Sequence, residues 1–234
     1  MLTSKKNWKL FLYVFLVFLI SISIIKSILF MLEDFADYFN ENNQKIDILT
    51  IEKVEQDQAQ KFIKADDCVL ELGGRYGTVS GIINKKLSNP QKHIVVEPDS
   101  DVWETLEKNK KNNESQYKIV KGVISNKKMS FQKNGYATIQ VADEASTVPH
   151  YTFNQIREMV DTPFTALVAD CEGCIEHFLN ENTEILKTVR IILLEEDMPD
   201  KCNYPAVKKL LEEYYFKEVN KEFNIVWRSV WIRE

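Results

Sequence analysis

Glycine is scarce in this chain, seven in 234 residues, and four of the seven fall within 73–81 in the stretch ELGGRYGTVSG. The stretch follows a short apolar run, CVLEL at 68–72, and leads into a pattern of helical spacing. Gly73 and Gly77 thus bracket a strand-to-helix turn, where a missing Cβ permits unusual φ/ψ and lets backbone N–H groups approach a ligand. The helix that starts there presents its positive end to a carboxylate or phosphate. Twenty residues after Gly77, Glu97 ends a second apolar run in HIVVEPD, where a carboxylate can accept hydrogen bonds from both hydroxyls of a ribose. Together these features predict a site for an adenosine-type nucleotide. NAD and S-adenosylmethionine both answer that description. The spacing G-G-R-Y-G puts bulky Arg75 and Tyr76 before Gly77, which leaves less room for a pyrophosphate than G-x-G-x-x-G does.

A second group of residues has the types needed for acid–base work. Asp170 and Glu172 sit two apart in VADCEGC, at another strand-to-helix turn, and Glu195 ends the run RIILLE. Convergence of these carboxylates would raise one pKa enough to make a base, or bind a divalent cation that acidifies a hydroxyl; no resident metal is assigned. His150, after Pro149 in a loop, is a fourth candidate base. Glu172 reads equally as a charge partner for a helix N-terminus, and two of Glu195, Glu196 and Asp197 as solvated loop acids. Cys171 and Cys174 form C-x-x-C, but Cys68 and Cys202 make no second such pair, so a zinc ribbon is poorly supported. In an oxidising lumen Cys171 and Cys174, or one of them with Cys202, would oxidise. Cys68 reads as core, and Trp227 and Trp231, alternating on the last apolar run, as sheet packing.

Beyond residue 67 the chain alternates between two kinds of element. Strand-like runs fall at 68–72, 92–97, 117–124, 164–169 and 188–195, with helical patterns at about 78–87, 100–111, 173–181 and 204–215. Apolar strands separated by helices predict a mainly parallel sheet covered on both faces, with ligands bound beyond the carboxyl ends of its strands. Phe216–Glu222 and Asn224–Ile232 read as a closing hairpin.

The other end of the chain is different in kind. Residues 10–32 contain only Ser21, Ser23, Lys26 and Ser27 outside the apolar set. Twenty-three helical residues reach about 35 Å, against a hydrocarbon core of about 30 Å, so one transmembrane helix is expected. Lys5, Lys6 and Lys9 precede it and Glu33, Asp34, Asp37 and Glu41 follow, which orients the N-terminus to the cytosol and the body to a lumen or the outside. A cleaved signal peptide with subsequent secretion is the competing reading. Residues 1–9 are then a basic tail, 10–32 the anchor, 33–67 a polar connector with a helix, and 68–234 the nucleotide-binding body. The net charge is −5 for the chain. The four lysines of the first 32 residues therefore leave −9 on the remaining 202, which argues against nucleic acid as a partner. Four cysteines are too few for a disulfide scaffold, and ordinary apolar content excludes a disordered chain.

Four motifs occur in order: CVLELGGRYGTVS, HIVVEPD, VKGVISNKKMSF and TALVADCEGCIEHFL. By these the chain resembles the FkbM type of class I S-adenosylmethionine-dependent methyltransferase over roughly residues 50–234. Arg75 and Asn154 depart from the usual pattern, which bears on fine cofactor contacts and substrate preference. The resemblance implies an α/β, Rossmann-like class I methyltransferase sheet, mainly parallel with a C-terminal antiparallel hairpin. It implies S-adenosyl-L-methionine as cofactor, with Glu71, Gly73, Gly74 and Gly77 at its methionine end and Glu97 on the ribose. Gly122 and Val123 would lie near the adenine, and Asp170 would face the sulfonium and the acceptor. The expected activity is O-methylation of a sugar, lipid-linked or other small hydroxyl acceptor, with Asp170, Glu172, Glu195 or His150 as base. An NAD-dependent oxidoreductase and a non-catalytic binding module of the same fold are the alternatives.

Overall fold

The apolar runs form the centre of one seven-stranded sheet. Strands β3 (Val69–Leu72), β4 (His93–Glu97) and β10 (Ala166–Ala169) are buried at every residue, and β11 (Ile191–Glu196) exposes only its last two residues in part. Burial on both faces is the condition of a parallel strand between helical layers. With β5 (Lys118–Lys121), β12 (Phe216–Asn224) and β13 (Val226–Arg233), the spatial order is β12-β13-β11-β10-β3-β4-β5. β11, β10, β3, β4 and β5 are parallel; β13 runs antiparallel to both β11 and β12. The chain leaves β3 toward β4 and β5, then returns to β10 on the other side of β3 and moves away through β11. The order therefore reverses between β3 and β10, and the crevice above their carboxyl ends is where a ligand binds in such sheets.

The computed structural model describes residues 13–15, 18, 21, 36–134, 137–142 and 145–234. The anchor expected over 10–32 lies outside the described residues except for Tyr13, Val14, Phe15, Phe18 and Ser21, which are helical and exposed. Among the described residues no helix is long and apolar enough to cross a membrane. Asp37–Glu234 form one compact unit.

Helices α2 (Thr78–Lys86), α3 (Trp103–Asn112), α5 (Cys174–Glu181) and α6 (Tyr204–Glu213) occupy the stretches where helical spacing was read. Three features differ from the sequence-based expectation. The stretch 33–67, read as a polar connector with a helix, holds α1 (Lys53–Phe62) and also a small hairpin of β1 (Tyr38–Phe39) and β2 (Lys45–Ile46). The hairpin is bound to the body: Phe39 N–H donates to Asn109 Oδ1 at 3.0 Å, and Asn109 Nδ2 donates to the carbonyls of Phe39 and Tyr76. A short helix α4 (Phe153–Arg157) begins with a capping box in which Thr152 and Gln155 each accept from the other's backbone N–H.

The third run, read as one strand over 117–124, breaks at Gly122. There φ is +152°, and a Cβ would stand 2.3 Å from the Pro149 carbonyl oxygen. The chain turns out of the main sheet, and β6 (Val123–Ile124) pairs in parallel with β9 (His150–Tyr151). Between them β7 (Met129–Asn134) and β8 (Ala137–Ala142) form an antiparallel hairpin.

Candidate functional site

The carboxyl ends of β3, β4, β5, β10 and β11 open into one cavity. Of the residues expected there, Glu71, Gly73, Gly74, Glu97, Gly122, Val123, Asp170, Glu172 and Glu195 all line it. Gly77 and His150 are not among its lining residues. Gly77 instead starts α2 at φ +78°, packed on Leu106 and Tyr117. The expected place of His150 in the cavity is not met: its Nε2 accepts from Met129 N–H at 2.8 Å, and although its strand β9 pairs with β6, only Val123 and Ile124 of that pair line the cavity.

The glycines work differently from the expected close approach to a ligand. At Gly73 φ is +90°, and a Cβ would lie 1.7 Å from the Asp170 carbonyl oxygen, so the missing side chain lets β3 and β10 converge at the switch point. Gly73→Ala is expected to destabilise the fold by about 3 kcal/mol or more, from the left-handed φ and the overlap together. Thermal unfolding checks this, and an unchanged melting temperature would refute the close approach.

Glu97 holds the loop that follows. Its Oε2 accepts from the N–H groups of Gly74 (3.2 Å) and Arg75 (2.7 Å), and its Oε1 from Asp99 N–H (2.7 Å). Burial pushes its carboxyl up to about 7, with the Asp99 and Arg75 amides opposing that rise. The expected ribose acid is therefore present on the cavity wall and also organises the glycine loop. Glu71 lies at the cavity floor with both carboxylate oxygens engaged, one by Ser80 Oγ–H at 2.8 Å and the other by His93 Nε2 at 2.8 Å. That leaves it a supporting contact beneath the site more than a direct ligand.

Asp170, at the end of β10, and Glu195, near the end of β11, share a hydrogen bond, and both carboxyls are raised, first by burial. Glu55 of α1 joins them, the three offering oxygens within 4.8 Å of one another. Arg228 of β13 reaches this trio and pairs with both Glu55 and Glu195. It sets a positive charge directly against two of the three carboxyls. Glu172, at φ +54°, is pushed up to about 9 by burial and then by its hydrogen bond to Asp197. The cavity lining is apolar in part: Val96, Pro98, Val123, Ile124, Phe178 and Leu194 belong to it.

Glu55, Gln58, Arg228 and His177 are cavity residues that the sequence reading did not single out. Glu55 and Gln58 sit on α1, whose amphipathic spacing was visible, but facing toward this cavity depends on contacts with β13 and β12. Gln58 Nε2 donates to Asn220 Oδ1 at 2.9 Å across 162 residues of sequence. His177 bonds Ser125 Oγ at 3.0 Å and Glu181 at 3.2 Å; its i,i+4 spacing to Glu181 was the one local signal for it. Cys171 and Cys174 are joined as a disulfide at the cavity edge, Cα to Cα 5.4 Å, while Cys68 and Cys202 are free and buried.

No family model matches the chain, and no curated protein matches it. Solved structures do. A precorrin-6y C5,15-methyltransferase from Geobacter metallireducens superposes with a TM-score of 0.52 at 11% identity, covering 80% of this chain and 91% of that one. A protein of the NADB-Rossmann superfamily from Streptococcus agalactiae gives 0.50 at 11% identity, with 79% and 69% covered. A methyltransferase from Pyrococcus furiosus gives 0.48 at 14% identity, with 76% and 81% covered. The sheet order, its switch-point cavity and the first two likenesses identify the body as a Rossmann-like α/β fold with a mainly parallel sheet.

Proposed function

We propose that the chain is an S-adenosylmethionine-dependent methyltransferase of the FkbM type, acting on a hydroxyl of a sugar, lipid-linked or other small acceptor. The observation that carries this reading is the charge of the cavity. Glu55, Glu97, Asp170, Glu172 and Glu195 line it, with Arg228 already committed to two of them. Burial raises several of those carboxyls, so the two phosphate charges of a dinucleotide would hold them further in the protonated form, whereas a sulfonium and an ammonium favour their ionised form and are offset by it. The apolar part of the lining suits an adenine ring. The methyltransferase named above, alike in fold, also supports the reading.

Bound there, S-adenosylmethionine supplies a methyl already activated by its sulfonium. The chain's own work is to align the acceptor and take its proton. Glu97 would hold the ribose and the Gly73–Arg75 loop the methionine end, and the cavity walls would exclude water. In its singly ionised form the Asp170–Glu195 pair holds one proton between two oxygens, and in that form it accepts the proton released by the acceptor hydroxyl.

The test is calorimetric titration of the full chain, in detergent, with S-adenosylhomocysteine and separately with NAD. Binding of the first without the second is the expected result; the reverse would establish the oxidoreductase reading. Glu97→Ala is expected to weaken S-adenosylhomocysteine binding tenfold or more, because each hydrogen bond to a charged acceptor is worth about 1.5–3 kcal/mol and the loop amides lose theirs as well. Unchanged affinity would refute that role.

We also propose that residues 10–32 anchor the protein in a bilayer with the body on the non-cytosolic side. The length and flanking charge of the segment support this, and so does the Cys171–Cys174 disulfide, which persists in oxidising compartments. Flotation of the full chain with vesicles tests the anchor.

A further inference from the structure

The turn between β12 and β13 is built against its own conformational preference. Ile225 occupies it at φ +70°, a region where a β-branched residue is strained and where Asn or Gly would be at ease. Its side chain is 88% exposed, and the flanking Phe223 and Trp227 are 62% and 44% exposed. Trp227 was read as sheet packing beside Trp231, but only Trp231 is buried. Phe223 and Trp227 face each other across the hairpin with ring centroids 5.0 Å apart, and Lys221 Nζ lies 4.7 Å from the Trp227 ring centroid. An exposed aliphatic tip, two aromatics behind it and a lysine behind those reproduce the order of groups found from acyl chain to headgroup at a bilayer surface.

The position of this tip gives it a second meaning. Trp227 pairs with Glu196, the last residue of β11, so residues 224–226 project beyond the carboxyl edge of the sheet. That is the edge on which the cavity opens. In sequence, only residues 33–37 separate the apolar segment 10–32 from β1, a reach of at most about 18 Å when extended. A body on so short a tether remains at the membrane surface, where a weak second contact suffices to orient it.

We infer that the Phe223–Trp227 hairpin tip dips into the lipid bilayer and turns the cavity toward the membrane, so that the acceptor is a hydroxyl presented at the lipid surface. This deepens the proposed methyltransferase reading and rests on the anchor. The test uses the full chain in phosphatidylcholine–phosphatidylglycerol vesicles, with an environment-sensitive fluorophore on Ile225→Cys. The native cysteines are buried or disulfide-bonded, so they do not compete for the label. A second preparation carries the label on Glu213→Cys, which is exposed at the end of α6, three residues before β12 starts at the opposite edge of the sheet.

Blue-shifted emission at 225, quenched about twofold or more by lipid-borne bromine, with water-like emission at 213, is the expected result. Water-like, unquenched emission at 225 in a chain that floats with the vesicles overturns the hairpin contact and leaves the anchor standing. A chain that does not float overturns both. Disulfide-linked dimers forming efficiently through unlabelled Ile225→Cys, with no lipid quenching in the labelled preparation, would reassign the tip to contact between copies. S-adenosylhomocysteine binding, read on the same preparations, reports on the methyltransferase reading separately. Ile225→Asn provides the folding control: it should keep or raise the melting temperature, because Asn tolerates the left-handed turn.

Discussion

Arg228→Met is expected to cost the protein about 3–5 kcal/mol of folding stability at slightly alkaline pH, with a smaller loss in mild acid. The guanidinium is buried between Glu55 and Glu195, the three side chains being 12%, 9% and 10% exposed. Deleting it leaves Glu55, Asp170 and Glu195 together without their cation. The pH dependence follows from linkage. Burial first holds the neighbouring Asp170 carboxyl at about 6, above its unfolded value, while Arg228 pulls it down, so removing Arg228 raises it further. A folded carboxyl with a raised pKa binds more protons than the unfolded chain. The extra penalty of the variant is absent in mild acid, where both folded forms keep the Asp170 proton, and grows as pH rises above about 6 toward the variant's own higher value. Urea unfolding of wild type and variant at both pH values measures the difference. A loss that does not change with pH would mean that Arg228 acts through packing alone.

Asp170→Asn is expected to lower methyl transfer about 10²–10⁴-fold, the usual contribution of a positioned base, with the melting temperature unchanged or higher. An amide keeps the shape and its Oδ1 can still accept from the protonated Glu195 carboxyl, and it removes one of three crowded carboxyls, so a fold-holding role and a chemical role separate cleanly. Labelled methyl transfer into membrane extracts is the readout. Burial and the neighbouring acids raise the ionisation of the pair, so the wild-type rate should climb with pH through that ionisation, and the climb should be absent in Asp170→Asn. Equal loss of melting temperature and rate would identify Asp170 as structural.

Which parts of this protein were readable in one dimension is a matter of range. The strands at Val69–Leu72, His93–Glu97, Ala166–Ala169 and Ile191–Glu196, the four long helices after them and the closing hairpin all announced themselves through local apolar spacing and turn residues. The same locality brought out the cavity residues that stand at strand ends, from Gly73 to Glu195, because in a parallel sheet the carboxyl ends of the strands meet along one edge whatever the loops do. The break of the third strand at Gly122 and the small hairpin at Tyr38–Ile46 left only weak local traces, since both depend on a partner elsewhere in the chain, Pro149 for one and Asn109 for the other.

By itself, then, the sequence determined a Rossmann-like order of elements, an apolar N-terminal segment, and the two strand-end carboxylates, Asp170 and Glu195, that lie nearest the proposed chemistry. Tertiary structure alone decided that Glu55 and Arg228, 173 residues apart, complete that acidic group, that His150 lies outside it, and that Trp227 is exposed while Trp231 is buried. The physical reason is that propensity and periodicity act over a few residues, whereas a buried charge or an exposed aromatic is defined only by what the rest of the chain brings against it.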